Sequence, residues 1–299
     1  MRWYIAFLYR LLRLAGRLPL RVLHGIGATV GWLLWLLPNP LRRKAVQTLS
    51  LVLTQFEGKS RHALFKSALI ETGKSAMELC KIWSGEPQTV LALVREVHGS
   101  ELFEQALCSG KGLIIAAPHL GCWELLNFWL CSRTQIAIAY RPPRHAAIEP
   151  LLIAARGALA AEQVRADGAA GVRVLFKRLL AGGVVGILPD QQPKAGEGEF
   201  APFFGTQALT MVLLSRLAQR TSATVLFAFA ERLPRGAGFR IHILPSPDGI
   251  ADADLPTAVA ALNRGVEDCV RRAPEQYQWA YKRYSIRPPE EAITPSAGV

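Results

Sequence analysis

Acidic residues are missing from the first 56 positions of this 299-residue chain, in which Glu57 is the first carboxylate. The whole chain carries a formal net charge of +12, and two thirds of it (8 of 12) lies in the same stretch. The apolar residues between these charges include long runs of Leu and Trp, whereas a nucleic-acid-binding arm is usually basic and polar. The composition therefore indicates contact with an anionic membrane surface and no nucleic-acid partner. The basic residues of this stretch are Arg2, Arg10, Arg13, Arg17, Arg21, Arg42, Arg43 and Lys44.

Cysteine is also scarce, with five residues in an odd, scattered set that contains no Cys-x-x-Cys pair. This pattern excludes a disulfide framework and a zinc site of the usual spacing, and it fits a reducing compartment. Internal repeats, low-complexity blocks and a linker rich in Gly, Ser or Pro are missing as well. We therefore expect a single main body, over residues 41–286, followed by a Pro-rich, disordered tail at residues 287–299.

The first 40 residues predict a membrane-anchoring segment. Arg10, Arg13, Arg17 and Arg21 are spaced three, four and four apart, so a helix would carry them as one stripe beside its apolar residues. Residues 19–37 form a second hydrophobic stretch, which at ~1.5 Å per residue has the length either to cross a ~30 Å bilayer core or to lie in its interface. Arginines throughout argue against a cleaved signal peptide. The basic cluster at residues 42–44 predicts that the main body stays on the cytoplasmic face, with a monotopic or single-pass anchor.

Beyond residue 112, strand-like and helix-like segments alternate, which predicts an α/β fold with a mainly parallel central sheet covered by helices. Strands are predicted at Gly112–Ala117, Gln135–Tyr140, Gly183–Leu188, Ala223–Ala230 and Phe239–Leu244. Helices are predicted at Leu41–Gln55, Arg61–Gly85, Cys122–Ser132, Ala147–Ala161, Ala170–Ala181, Leu209–Arg220 and Thr257–Arg272.

The segment GLIIAAPHLGCWE, residues 112–124, carries the most specific chemical signal. A buried strand ends at Pro118, His119 follows on a turn, and Glu124 falls in the first turn of the next helix. The carboxyl end of a strand is where open α/β sheets usually bind ligands. Histidine can accept a proton near neutral pH, and a carboxylate can orient its ring. A structural histidine and a glutamate placed by the helix dipole are the alternative interpretation.

Two further polar groups follow predicted strands. Arg141 and Arg144 come after the second strand, and Asp190 and Gln191 come after the third. In a parallel sheet these positions face one crevice with His119 and Glu124, so we expect the six side chains to converge. Taken singly, each group also fits an ordinary turn with solvated side chains.

Four motifs occur in an order that resembles the late acyltransferases of lipid A biosynthesis, the lauroyl/myristoyl transferase family. PHLGCWE at residues 118–124 matches the family's His-x4-Asp/Glu box, and YRPP at 140–143 matches its Arg-Pro motif. LLAGG at 179–183 leads into LPDQQ at 188–192, and FAPFFG at 200–205 is followed by Ala208 and Thr210. The end QWAYKRY, residues 278–284, is similar to the family's aromatic and basic terminus.

This resemblance implies a glycerol-phosphate-acyltransferase-like fold and an O-acyltransferase at the cytoplasmic face of the cell inner membrane. The implied reaction moves a fatty acyl chain from acyl carrier protein to a hydroxyl of a lipid A precursor, without a metal or other cofactor. His119 would be the general base, and Glu124 would hold its tautomer and stabilise the imidazolium. Arg141 and Arg144 would bind the acceptor's phosphates. Asp190 and Gln191 would bind sugar hydroxyls or support the histidine, and the residues do not separate these two roles.

Several assignments remain open at this stage. Backbone N–H groups near Gly121 are candidates for the oxyanion donors. Phe203, Phe204 and Trp123 line an acyl groove or pack in the core. The acceptor could instead be another glycolipid, a lysophospholipid or an aryl lipid, and a non-catalytic lipid-binding protein is a third possibility. A basic surface would serve an acidic carrier protein, with Lys177, Arg178, Arg216 and Arg220 as candidates.

Overall fold

A computed structural model describes residues 3–56, 60–140 and 161–289, with side chains from Arg10 onward. Numbered over these residues, the helices are α1 (Trp3–Gly16), α2 (Leu20–Leu36), α3 (Pro40–Val52), α4 (Arg61–Ser84), α5 (Pro87–Leu91), α6 (Ser100–Cys108), α7 (Trp123–Arg133), α8 (Ala169–Leu180), α9 (Leu213–Thr221) and α10 (Leu255–Arg272). The strands are β1 (Val94–His98), β2 (Leu113–Ala116), β3 (Ile136–Tyr140), β4 (Glu162–Arg165), β5 (Val184–Ile187), β6 (Gly198–Phe203), β7 (Thr206–Met211), β8 (Thr224–Arg232) and β9 (Phe239–Pro245).

Seven of these strands form one sheet in the order β1-β9-β8-β2-β5-β3-β4, while β6 and β7 form a separate antiparallel hairpin. The five strands from β8 to β4 are parallel to their neighbours. Strand β9 runs antiparallel to β8, and β1 runs parallel to β9. The predicted α/β class with a mainly parallel sheet is confirmed. Because β2 and β5 are adjacent and parallel, the loops that leave their carboxyl ends open on the same edge of the sheet.

Helices cover both faces of the sheet, as the side chains of β2 show. Ile114 and Ala116 pack with residues of α8, α9 and α10, whereas Leu113 and Ile115 pack with residues of α6 and α7. All four side chains are buried. Burial on both faces explains why this strand is a continuous apolar run in the sequence and shows no alternation.

The five strands predicted from the sequence all lie in the large sheet, with ends shifted by at most two residues. The helix predicted at Leu209–Arg220 is wrong in its first part, because strand β7 continues to Met211 and α9 begins at Leu213. A short apolar run is compatible with both the helical period and the strand period. Here the hydrogen bonds to β6 make these residues a strand. Strands β1 and β4 were not predicted, since they lie at the edges of the sheet and are largely polar. Residues 147–160 of another predicted helix, and residues 290–299 of the tail, lie outside the described residues.

The N-terminal helices pack on the main body through small residues. Helix α2 lies so close to α4 that a Cβ atom built on Gly27 would be 2.6 Å from the Cα atom of Lys74. Leu23 and His24 share this buried face of α2. The opposite face is exposed and apolar, with Val22 and Val30 both more than 40% exposed. Helix α2 thus has one face packed against protein and one apolar face that is left uncovered.

No single helix in the described part of the chain has the length and apolar character needed to cross a bilayer. Two successive helical segments, Leu20–Leu36 and Pro40–Gln55, meet the criterion only as a pair bent by 79°.

Two glycines of α2 provide a test of this close packing. Replacement of Gly27 by Ala should lower the free energy of unfolding by roughly 1–3 kcal/mol, because the added methyl overpacks the contact with α4. The matched change Gly25→Ala meets no atom within 4 Å and should instead raise it by roughly 0.5–1 kcal/mol through helix propensity. Denaturant unfolding in detergent measures both values. Equal stabilisation by the two changes would contradict the close helix contact.

Candidate active site

His119 lies on the turn between β2 and α7, as the sequence predicts. Strand β2 ends at Ala116, and the next N–H, that of Ala117, donates to the carbonyl of Ile187 at the end of β5 (2.9 Å). Helix α7 then begins at Trp123. The loop after β5 carries Pro189 and Asp190, so the two loops leave the sheet side by side.

The carboxylate that contacts the imidazole of His119 belongs to Asp190. Its Oδ1 atom is 2.8 Å from Nδ1 of the ring, and its Oδ2 atom accepts the backbone N–H of His119 at 2.9 Å. Burial would raise the pKa of Asp190, but the charge of the His119 ring and the two hydrogen bonds lower the pKa below its usual value. Asp190 is therefore a buried carboxylate that stays ionised at neutral pH and fixes the orientation of the ring.

Gln191 contacts the other ring nitrogen. Its Nε2 atom lies 3.0 Å from Nε2 of His119. With a proton on Nδ1 facing Asp190, the Nε2 atom of His119 carries the lone pair and accepts the amide N–H of Gln191. The ring of Trp123 lies beside the imidazole, with centroids 5.2 Å apart. The side chain of His119 keeps 12% of its surface exposed, so the ring is packed but accessible.

The remaining predicted site residues take other positions. Glu124 is buried in the first turn of α7, five residues from His119. Arg141 and Arg144 lie outside the described residues. Of the two roles left open for Asp190 and Gln191, the geometry corresponds to support of the histidine, because both side chains contact the ring itself. Asp190 thus occupies the Nδ1 position that the sequence assigned to Glu124.

Three of the backbone N–H groups near Gly121 that the sequence offered as oxyanion donors already donate to other groups. The N–H of Leu120 donates to Pro118, that of Gly121 to Gln276, and that of Cys122 to Ala230, at 2.7, 3.2 and 2.9 Å respectively. These bonds attach the turn to β8 on one side and to the segment after α10 on the other. They fix the path of the chain at the site and leave these donors occupied.

Tyr277 is a site residue that the sequence did not reveal. Burial, followed by the negative charge of Asp190, raises the pKa of Tyr277 well above its usual value. The phenol of this buried side chain therefore stays protonated. Residue 277 also forms an antiparallel bridge with Leu120. Tyr277 directly precedes the aromatic and basic motif at residues 278–284, which is the one sequence feature that could have drawn attention to it. Nothing in that motif indicates that the residue lies near Asp190.

The aromatic motifs serve the core. Phe203 and Phe204 are at most 2% exposed, so these residues of the FAPFFG motif pack in the core and line no open groove. Tyr284 donates its hydroxyl to the carbonyl of Phe203 (2.8 Å), and Arg283 donates to the carbonyl of Leu209 (2.7 Å). The C-terminal motif thereby attaches the β6–β7 hairpin to the body. Trp279 adds a bond from its indole to the carbonyl of Pro274 (2.6 Å).

Gly121 provides a test of how tightly the turn is held. Its φ is +61°, and a Cβ atom added there would collide with the carbonyl oxygen of Ala230. Gly121→Ala should cost more than the ~1–2 kcal/mol of left-handed strain alone. Gly196, at φ +81° with no atom within 4 Å of an added Cβ, is the matched control and should show only that strain. Unfolding measurements that find equal costs would show that the contact with β8 can relax.

Comparison with known proteins identifies the family. A model described as bacterial lipid A biosynthesis acyltransferase matches residues 1–285. The lipid A biosynthesis lauroyltransferase of Escherichia coli (strain K12) is 25% identical over 273 residues, which cover 91% of this chain and 88% of that protein. The palmitoleoyltransferase of the same organism is also 25% identical, over 97% of this chain and 94% of that protein.

A shorter match is to another acyltransferase. The phosphatidylinositol mannoside acyltransferase of Mycobacterium tuberculosis (strain CDC 1551 / Oshkosh) is 28% identical over 158 residues, or 50% of this chain and 48% of that protein. The family model, in contrast, covers nearly the whole chain. This protein is an O-acyltransferase that belongs to the bacterial lipid A biosynthesis acyltransferase family.

Proposed function

We propose that the chain transfers a fatty acyl group from acyl carrier protein to a hydroxyl of a lipid A precursor, with His119 as the general base. The observation that carries this proposal is the Asp190–His119 pair at the carboxyl edge of the sheet. A carboxylate on Nδ1 leaves the lone pair on Nε2, which is the atom that has to accept the proton. The names of the relatives supply the class of reaction and of acceptor.

The reaction balances with residues of this chain alone. The acceptor hydroxyl attacks the thioester carbonyl carbon while its proton moves to Nε2 of His119, a step typically worth ~10²–10⁴-fold in rate. The tetrahedral intermediate collapses as the carbon–sulfur bond breaks, and the departing thiolate takes the proton back from His119. Asp190 stabilises the imidazolium between the two transfers. Because Gln191 occupies Nε2 at rest, its amide must give up this hydrogen bond when the hydroxyl arrives.

Glu124, Arg141 and Arg144 complete the proposal. We assign to Glu124, which is buried in the first turn of α7, an electrostatic effect on the imidazolium, while Asp190 holds the tautomer. The two arginines bind the acceptor's phosphates, where a guanidinium engages two oxygens at once.

Substitution of the two carboxylates separates their roles. Asp190→Asn keeps the shape but presents no anion to Nδ1, and we expect a 10³–10⁴-fold loss of kcat, close to that of His119→Ala. Glu124→Gln should lose less. The measurement is transfer from an acyl-carrier-protein thioester to a tetra-acylated precursor, with circular dichroism as a folding control. An active Asp190→Asn protein beside an inactive Glu124→Gln protein would assign the orienting role to Glu124.

The mycobacterial relative favours one alternative acceptor class, another glycolipid, with the same site and chemistry. Mass analysis of lipids from a deletion strain distinguishes the two. Loss of one secondary acyl chain from lipid A supports the proposal, whereas unchanged lipid A contradicts it.

We also propose that the protein lies on the inner membrane through helices α1–α3. Among the described residues, twelve of the fourteen exposed large apolar side chains fall between positions 11 and 51. Arg10 and Arg13 lie on α1, Arg21 lies on α2, and Arg17 lies on the turn between them, so the predicted stripe on one helix is broken. These four charges suit a surface of anionic lipid. The twelve side chains are Leu11, Leu14, Leu18, Val22, Ile26, Val30, Trp32, Leu33, Leu36, Leu37, Leu41 and Leu51.

Two of the four basic residues suggested for carrier-protein docking, Lys177 and Arg178, lie away from the edge of the sheet that carries His119. Lys177 and Arg178 lie in the last turn of α8, directly before β5 begins at Val184. This places them at the amino ends of the strands, opposite the edge that carries His119. Arg178 is also engaged by Glu162 at 2.5 Å. A docked carrier has to deliver its thioester to the carboxyl edge, so these two residues are unsuited to that task.

Exposed leucines test the membrane proposal. The triple change of Leu14, Leu33 and Leu36 to Ser removes apolar area that would enter the bilayer, and we expect at least tenfold weaker partitioning into liposomes. Val174→Ser with Leu180→Ser is the control, since these side chains are exposed to a similar degree but lie on α8. Liposome flotation gives both values. Equal partitioning of the two variants and the wild type would refute the assignment.

A further inference from the structure

A recess of about 220 Å³ lies where the end of α1 meets the end of α4 and the start of α5. It is separate from the site around His119. Arg13 contributes from the last turn of α1, Arg17 from the turn that follows this helix, and Lys81 from α4. Its remaining lining residues are Gly16, Ser84, Gly85, Glu86, Thr89 and Val90.

The lining favours an anion with a cation beside it. Three basic side chains face a single carboxylate, that of Glu86, so the net charge of the lining is positive. The ammonium of Lys81 donates to the carbonyls of Gly16 (2.9 Å) and Leu18 (3.1 Å), which uses two of its three N–H bonds. Its position is thereby fixed, and one donor remains. Two guanidiniums can each engage a pair of phosphate oxygens.

The recess also lies at the border between polar and apolar surface. Leu14 and Leu18 are neighbours of its arginines in the chain, and they are 62% and 37% exposed. A lipid phosphate occupies the same kind of border in a bilayer, with acyl chains on one side and water on the other. If the acyl chains of a lipid pack on Leu14 and Leu18, its phosphate lies next to Arg13 and Arg17.

We propose that this recess binds the headgroup of a bilayer phospholipid of the phosphoethanolamine class. The phosphate lies on Arg13, Arg17 and Lys81, and the ammonium pairs with Glu86. The proposal rests on the membrane association proposed above and adds to it a defined lipid site. Such a site would hold α1 at one depth in the interface, because the position of a bound phosphate fixes the height of the two arginines.

The test uses the full chain and a short-chain phosphatidylethanolamine kept below its micelle concentration, with binding followed by calorimetry. Arg13→Gln with Arg17→Gln should weaken binding at least tenfold. Arg10→Gln with Arg21→Gln removes the same charge from α1 and α2 outside the recess, and it should change binding less than threefold. Equal losses in the two double variants would overturn the proposal, since a diffuse positive field explains them.

Two further arms identify the headgroup. Glu86→Gln should weaken binding of phosphatidylethanolamine but leave that of phosphatidylglycerol unchanged, because only the former brings an ammonium. Inorganic phosphate that competes as well as the lipid would reject a lipid site in favour of a free-anion site. No acyl donor, acceptor or bilayer is present in this assay. Its failure therefore leaves acyl transfer and liposome binding standing.

Discussion

The guanidinium of Arg232, at the end of β8, is held in the protein interior by carboxylates of α4. Its Nε and Nη2 atoms both contact Glu78, the latter at 2.7 Å, and Nη1 donates to Glu71 at 2.6 Å. His24 of α2 contacts Glu78 from the other side (2.7 Å). Burial would raise the pKa of Glu78, but Arg232 and His24 together lower it to about 2. The cluster is thus charged at any ordinary pH, and its partners come from three separate elements.

Such a cluster contributes to placement more than to stability. Two buried charges lose hydration that their attraction only partly restores, yet removal of one partner leaves the other uncompensated. Any arrangement in which α4 shifts along β8 and separates Glu78 from Arg232 is therefore destabilised, because it leaves a buried charge unpaired. The geometry of the two elements is specified by the requirement that these two charges meet.

The turn that carries His119 depends on this placement. The backbone N–H and carbonyl of Arg232 pair with the side-chain amide of Gln276 at 2.8 and 2.9 Å, and the carbonyl of Gln276 accepts the N–H of Gly121. At the end of the turn, burial and then the charge of Glu78 raise the pKa of Cys122 well above its usual value. The thiol therefore stays protonated beside the cluster. His119 takes its position from β8 and the C-terminal segment as well as from its own strand.

The sequence predicts the strand, the turn and the histidine because these depend on local composition. It does not separate a substrate-binding Asp190 from one that supports the ring, because that choice depends on the order of strands in the sheet. Residues 119 and 190 are 71 positions apart, and they meet since β5 is the neighbour of β2. The polar edge strands β1 and β4 are not predicted for a related reason. Their own residues have little strand character, and they form strands because the neighbouring strand of the sheet pairs with them.

The same connections relate the proposed membrane surface to the proposed chemistry. Helix α2 presents apolar side chains outward, and its buried face contacts α4 through Gly27 and contributes His24 to the charge cluster. From Glu78 the contacts continue through Arg232 and Gln276 to the turn of His119. Each step is a hydrogen bond or a close backbone contact. An acceptor held in the bilayer would therefore meet the imidazole at one fixed height, set by how deeply α1 and α2 lie in the interface.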